Sequence, residues 1–144
     1  MGWYCVEGSL HRPTWVEVDL AAIRHNVSAF RRLLPKRTKL MAVVKADGYG
    51  HGAPQVAHCA LEAGADALAV ATLDEGMELR AAGLDAPLLV LGYVDPADLG
   101  LAVKERLSLT VYSLEMLRAL ISSVKAEPVR EPLRIHLKLD TGMG

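Results

Sequence analysis

Short apolar runs recur along the chain at a nearly even spacing, each followed by a stretch with helical patterning. "KLMAVVK", "DALAVA", "PLLVLG", "LSLTVY" and "LRIHLKLD" place strand starts near 40, 66, 87, 107 and 133, about 20 to 26 residues apart. Runs this short and this apolar suit strands covered by helices outside and by other strands inside. Regular βα units of this length predict a parallel sheet, either a (β/α)8 barrel or an open doubly wound sheet. A barrel usually needs about 200 residues or more. The chain has 144, so as a barrel it looks incomplete.

The intervening segments carry helix signals. "TWVEVDL" alternates as a strand should, and Asp19 can then cap a helix with Leu20, Ile23, Val27, Phe30 and Leu34 on one face, stopped by Pro35. Pro54 and Gly64 bracket the next helix. Thr72 and Glu75 form a capping box for a helix ending near Gly83; Asp95 and Pro96 open a short helix, and Ser113 caps "LEMLRALISSV". "KAEPVREP" reads as a loop before the last strand. The first dozen residues are expected to be a loose N-terminal extension.

Composition narrows the function classes. About half the residues are hydrophobic (51%) and the formal charge is −1, a balance that points to neither a nucleic-acid nor a membrane surface. "MGWYCVEGSLHRP" lacks the basic and apolar regions of a secretory leader, and no apolar run is long enough to span a bilayer. The expected location is the cytoplasm. Cys5 and Cys59 have no CxxC or metal spacing; one disulfide is the alternative, and a free, reduced pair is expected. His51 and His58 stand seven apart, about 10 Å along a helix. No metal site is expected from them or from His11, His25 and His136. Asp74, Glu75 and Glu78 open a helix, where acidic residues suit the dipole, and read as structural.

The last strand divides its residues. Leu133, Ile135, Leu137 and Leu139 share one face; Arg134, His136, Lys138 and Asp140 share the other. Either the apolar face packs on helices and the polar face looks into a lumen, or this is an antiparallel edge strand with one wet face.

Chemistry concentrates at "LMAVVKADGYGHG". Lys45 ends an apolar strand, on the side where βα proteins carry their active sites. Its plain alternative is a lysine that has left the core and snorkels to solvent. Gly48, Gly50 and Gly52 alternate with Tyr49 and His51 just before a helix. Glycines there let the backbone turn tightly beside a ligand, and a helix N-terminus favours an anion such as phosphate. An amine, a phenol and a helix end together suit a phosphorylated aldehyde cofactor, which the amine would hold as an imine. His51 reads as an N-terminal helix position.

"AVVKADGYGHG" closely resembles the pyridoxal-phosphate signature of alanine racemases. "WVEVDLAAIRHNV", "ALAVATLDEGMELRAAG" and "LKLDTGMG" resemble that family's N-terminal strand and helix, second βα unit and fifth strand, in order. The resemblance implies an α/β fold: a partial (β/α)8 TIM-type barrel with about five of eight parallel strands, preceded by an N-terminal strand and helix. Residues 1–13 would be the loose extension, and 14–144 the N-terminal portion of a pyridoxal 5'-phosphate-binding barrel, incomplete at its C-terminus. It further implies that Lys45 binds the cofactor and then acts as the base at the Cα of the D-enantiomer, that Tyr49 contacts the cofactor phosphate, and that Lys138 matches a lysine carbamylated in some members, where it orients an arginine.

The implied activity is a cytoplasmic, homodimeric isomerase that interconverts L- and D-alanine for cell-wall synthesis. The carboxylate-binding arginine and the second base, a tyrosine from the other subunit, have no counterpart in these residues, so the isolated chain is expected to have little or no activity. Three alternatives remain: a non-catalytic pyridoxal-phosphate carrier, a broad-specificity or serine racemase, and a segment that binds nothing and self-associates.

Overall fold

Each of the five apolar runs becomes one strand of a parallel sheet. A computed structural model of the chain describes residues 3–5, 15–126 and 132–142. The strands are β3 (Met41–Val43), β4 (Ala67–Val70), β5 (Leu88–Val90), β6 (Ser108–Val111) and β7 (Ile135–Leu137), paired in the order β3-β4-β5-β6-β7. Between them lie α2 (Lys45–Gly50), α3 (Ala53–Glu62), α4 (Leu73–Ala81), α5 (Leu99–Lys104) and α6 (Leu114–Ala126). Before them come β1 (Trp3–Cys5), β2 (Glu17–Asp19) and α1 (Leu20–Leu33). The strand–helix alternation and the all-parallel pairing agree with the partial barrel read from the sequence.

Capping residues act where their side-chain chemistry directs them. Asp19 Oδ1 accepts from the N–H groups of Ala21 (2.8 Å) and Ala22 (3.2 Å) at the start of α1. Thr72 and Glu75 complete a reciprocal capping box on α4. Ser113 Oγ accepts from Met116 N–H at 3.1 Å, and Asp95 caps a 3-10 turn over Pro96–Asp98 that leads into α5. The apolar stripe of α1 is only half buried, and Phe30 in it is exposed.

Residues 3–5 depart from the expected loose extension: they pair antiparallel with β2, Trp3 opposite Asp19 and Cys5 opposite Glu17. The N–H and C=O groups of an isolated three-residue strand need partners, and β1 supplies them. The strand is also shorter than "TWVEVDL", because Leu20 already belongs to α1. The rest of 1–13, and residues 127–131 of the expected loop, lie outside the described residues.

Register separates the two faces of the sheet. Leu68, Val70, Leu88, Val90, Leu109 and Val111 enter one apolar cluster with Leu79, Leu99, Val103 and Leu107 from the helices and their connections. A Cβ on Gly76 would come within 3.2 Å of Leu107 Cδ1, so α4 can lie this close to the core only without a side chain there. The second face carries Met41 and Val43, Ala67 and Ala69, Leu89, Ser108 and Thr110, and His136, which pairs with Thr110. Parallel pairing of β7 rules out the antiparallel edge strand. Its apolar face is only lightly covered: Leu133 packs on the core, whereas Leu137 is 70% exposed. Among the described residues, no helix is long and apolar enough to cross a membrane.

Two charged side chains tie the strand entrances together. The Arg80 guanidinium donates to the carbonyls of Leu84, Ala86, Glu105 and Arg106, joining the turns that lead into β5 and β6. Asp66 accepts from Leu40 N–H at 2.8 Å and pairs with Lys39 and Arg31 at the entrances to β3 and β4.

Replacing Arg80 with alanine strands four carbonyls that shared one donor group, and should lower unfolding free energy by about 2–4 kcal/mol in urea titration. Arg80→Lys should recover little, since a single ammonium cannot fork to four acceptors. The Leu40 N–H and then the Lys39 ammonium hold the Asp66 carboxyl below its usual range. A depressed folded-state value stabilises the fold above the unfolded carboxyl pKa of about 3.9, and that contribution is lost as pH falls through the folded value. Asp66→Asn should therefore flatten the acid limb of the stability–pH curve below about pH 5.

Candidate active site

Strand alternation decides where Lys45 stands. Val43 lies on the second face, Val44 is buried in the core with its N–H on Ala69 O (2.8 Å), and Lys45 follows at the C-terminal end of β3. Lys45 is half-buried, and among the described residues no hydrogen bond or ion pair engages its ammonium. It is neither paired in the core nor fully in water. Beside Val43 the second face continues with Ala69 and Leu89, and two positions further along lie Ala71 and Leu91. On this face β4 and the residue after it carry only alanine, flanked by the aliphatic Val43 and Leu89.

After Lys45 the chain makes a left-handed helical turn. Ala46, Asp47, Gly48 and Tyr49 have φ of 52°, 52°, 61° and 56°, with ψ from 36° to 52°. Three of these four are not glycine, and each such residue costs about 1–2 kcal/mol in this conformation. The glycine pattern announced a tight turn, but nothing in the sequence showed that Ala46, Asp47 and Tyr49 would share it. Gly48 is where the turn tolerates least: it is buried, and a Cβ would meet Val56 Cγ2 at 3.3 Å and Ala53 backbone at 3.4 Å.

Two carboxylates brace the turn. Glu75 Oε1 accepts from Ala46 N–H at 2.6 Å, while its Oε2 accepts from Ala71 N–H at 2.6 Å and Thr72 N–H at 3.2 Å. Asp47 Oδ1 accepts from Ala53 N–H at 2.7 Å, and Asp47 O from Gly52 N–H at 2.9 Å. Both contacts bear on the start of α3, where the sequence suggests a phosphate could sit. Asp47 already takes the first N–H of that helix, and Pro54 has none to offer. Sequence reading missed Asp47 altogether and assigned Glu75 a purely structural place. His51 closes α2 as its C-cap, with Nδ1 3.0 Å from the carbonyls of Gly48 and Tyr49. A protonated Nδ1 would donate to them.

Tyr49, at the end of the left-handed turn, is 59% exposed. A primary amine with a phenol four residues later could hold an aldehyde that carries a phosphate, the amine through the carbonyl carbon and the phenol O–H by donating to the phosphate. Lys138 follows β7 and is exposed, its N–H on Val111 O at 2.8 Å. Alternation puts it on the same second face as Lys45, but β3 and β7 are opposite edges of the sheet, about 19 Å apart along it at the usual strand spacing. Lys45 and Tyr49 are thus brought into one turn, and Lys138 is not brought to them within the sheet. Among the described residues no three His, Cys, Asp or Glu side chains converge as a metal site would require. Cys59 is free and buried; burial pushes its thiol up, and it donates to Leu20 O.

Comparison with known proteins adds identity to this geometry. Residues 18–144 match the family model described as alanine racemase, N-terminal domain. "Alanine racemase 2" of Oceanobacillus iheyensis is 54% identical over 138 residues, 96% of this chain and 34% of the relative. The alanine racemase of Geobacillus stearothermophilus is 55% identical over 134 residues, 93% of this chain and 34% of the relative. The crystal structure of alanine racemase from Bacillus anthracis with bound L-Ala-P superposes with a TM-score of 0.85 at 42% identity, over 95% of this chain and 35% of that one. The chain spans about a third of the length of the curated relatives it matches.

Asp47→Ala removes the acceptor that joins the left-handed turn to α3 and should cost about 1–2 kcal/mol in chemical denaturation. Asp47→Asn, which keeps an oxygen at that place, should cost less than half as much.

Proposed function

The chain belongs to the alanine racemase N-terminal domain family, and we propose that it forms the lysine-bearing part of a pyridoxal-phosphate-dependent enzyme interconverting L- and D-alanine. The observation that carries the reading is the half-buried Lys45 amine at the C-terminal end of β3, without a partner among the described residues and followed by Tyr49 in one braced turn.

Lys45 and Tyr49 would hold the cofactor, the lysine through its amine and the tyrosine through its phenol. Pyridoxal phosphate, when bound, supplies an electron sink for the negative charge left at the substrate Cα. Lys45 Nζ moves the proton at Cα of the D-enantiomer, as a positioned general base. Val43, Ala69 and Leu89 lie side by side on this face and present aliphatic surface at the C-terminal end of β3. Racemisation needs a second base on the opposite side of Cα and a cation for the substrate carboxylate. We assign both to the rest of the complete enzyme, the second base to the partner subunit of a cytoplasmic homodimer. Lys138, on the same face of the sheet, is the candidate for a carbamylated lysine that orients the carboxylate-binding arginine. The matched relatives bear the name racemase, which favours this reading over a non-catalytic carrier of the same cofactor.

The test is borohydride reduction of the complete, cofactor-loaded protein followed by peptide mass spectrometry. A pyridoxyl group on Lys45 is the expected result, and one on any other lysine sinks the assignment. Lys45→Ala should lower alanine racemisation by roughly 10²–10⁴-fold, and Tyr49→Phe should weaken retention of the cofactor through dialysis. The 144-residue chain alone should racemise alanine no faster than its Lys45→Ala variant.

A further inference from the structure

We propose that Glu75 is a positioning residue for the Lys45 amine, acting by holding the left-handed turn at its first N–H; the proposal rests on the cofactor reading above. A capping box needs the N3 side chain only to reach the N-cap N–H. That contact, to Thr72 N–H at 3.2 Å, is the longest of the three that the Glu75 carboxylate accepts. The two contacts of 2.6 Å go to Ala46 and Ala71, outside the helix and just past the ends of neighbouring strands. The carboxylate therefore sits as a bridge between the β3 and β4 ends and serves as a cap besides.

Ala46 is the residue on which such a bridge has most leverage. It directly follows Lys45, opens the left-handed turn, and has a Cβ that disfavours its φ of 52°. Ala46 is exposed, so water can satisfy its N–H once Glu75 is gone. Water, however, imposes no direction. Without the fixed acceptor Ala46 relaxes towards the right-handed region, which swings the chain next to Lys45 and carries Tyr49 away with it. Glu75 touches neither substrate nor cofactor on this account; it acts through the backbone of its neighbour.

The experiment compares Glu75→Gln, Thr72→Ala and the double variant Glu75→Gln with Ala46→Gly in the complete protein, titrated with pyridoxal phosphate. Glutamine preserves the capping box but has one oxygen instead of two, so it cannot serve both strand ends. Apparent affinity and the yield of borohydride-trapped Lys45 adduct should fall on the order of tenfold for Glu75→Gln. Thr72→Ala weakens the cap and keeps the bridge, and should stay within about twofold of the parent. Glycine adopts the left-handed conformation without penalty, so Ala46→Gly should restore most of the loss. Parent-like binding by Glu75→Gln, an equal loss in Thr72→Ala, or no rescue by Ala46→Gly each overturns the proposal. If Glu75→Gln does not fold, Glu75→Asp replaces it: the charge remains at the helix start, the reach to Ala46 is lost, and the same tenfold fall is expected. Absence of the adduct on Lys45 in the parent protein overturns the cofactor reading itself, whereas its presence with parent-like variants overturns this proposal alone.

Discussion

Leu68, Val70, Leu88, Val90, Leu109 and Val111 meet Leu79, Leu99, Val103 and Leu107 in a cluster whose buried members are all apolar. The helices that cross over between successive strands to cover that cluster make the strands point one way. Each strand is three or four residues long and could not hold its register alone. Packed under helices on one face, the strands deliver their C-terminal ends to one rim of the sheet. Lys45, Ala71 and Lys138 stand on that rim because of packing many residues away from them.

At the rim the structure stops following local preference. A run of four left-handed residues, three of them with a Cβ, is unfavourable by itself. It persists because the surroundings hold it from both ends: Glu75 reaches in from α4, and Asp47 reaches out to α3. Departures of this kind gather where chemistry has to be aimed. Lys45 shows the same logic. On the proposed reading, the half-buried Lys45 amine is the group that this turn serves to aim.

The second face of the sheet is the incomplete part of the picture. Met41, Val43, Leu91 and Tyr112 lie there with substantial exposure, and the helix-facing side chain of Leu137 is open as well. Among the described residues, β3 and β7 each have one unpaired edge. On the proposed reading, the remaining strands of a closed barrel cover these edges, and the second face, aliphatic at β3 to β5 and polar at β6 and β7, becomes the lining of the substrate chamber.

Much of this was legible in the chain itself. Alternation of short apolar runs with capped, amphipathic segments set the α/β class, because strand and helix periods differ and Asp19, Thr72, Asp95 and Ser113 mark helix starts by their own side-chain chemistry. "AVVKADGYGHG" was enough to single out Lys45 and Tyr49. Tertiary structure alone decided the rest. The left-handed conformation of Ala46, Asp47 and Tyr49 depends on acceptors that arrive from elsewhere, Glu75 from 29 positions away along the chain. Asp47 meets the first N–H of α3, since which donor finds which acceptor is settled by distance in space. Periodicity and propensity are properties of neighbours in sequence; a carboxylate bridging two strand ends exists only after the strands have been laid side by side.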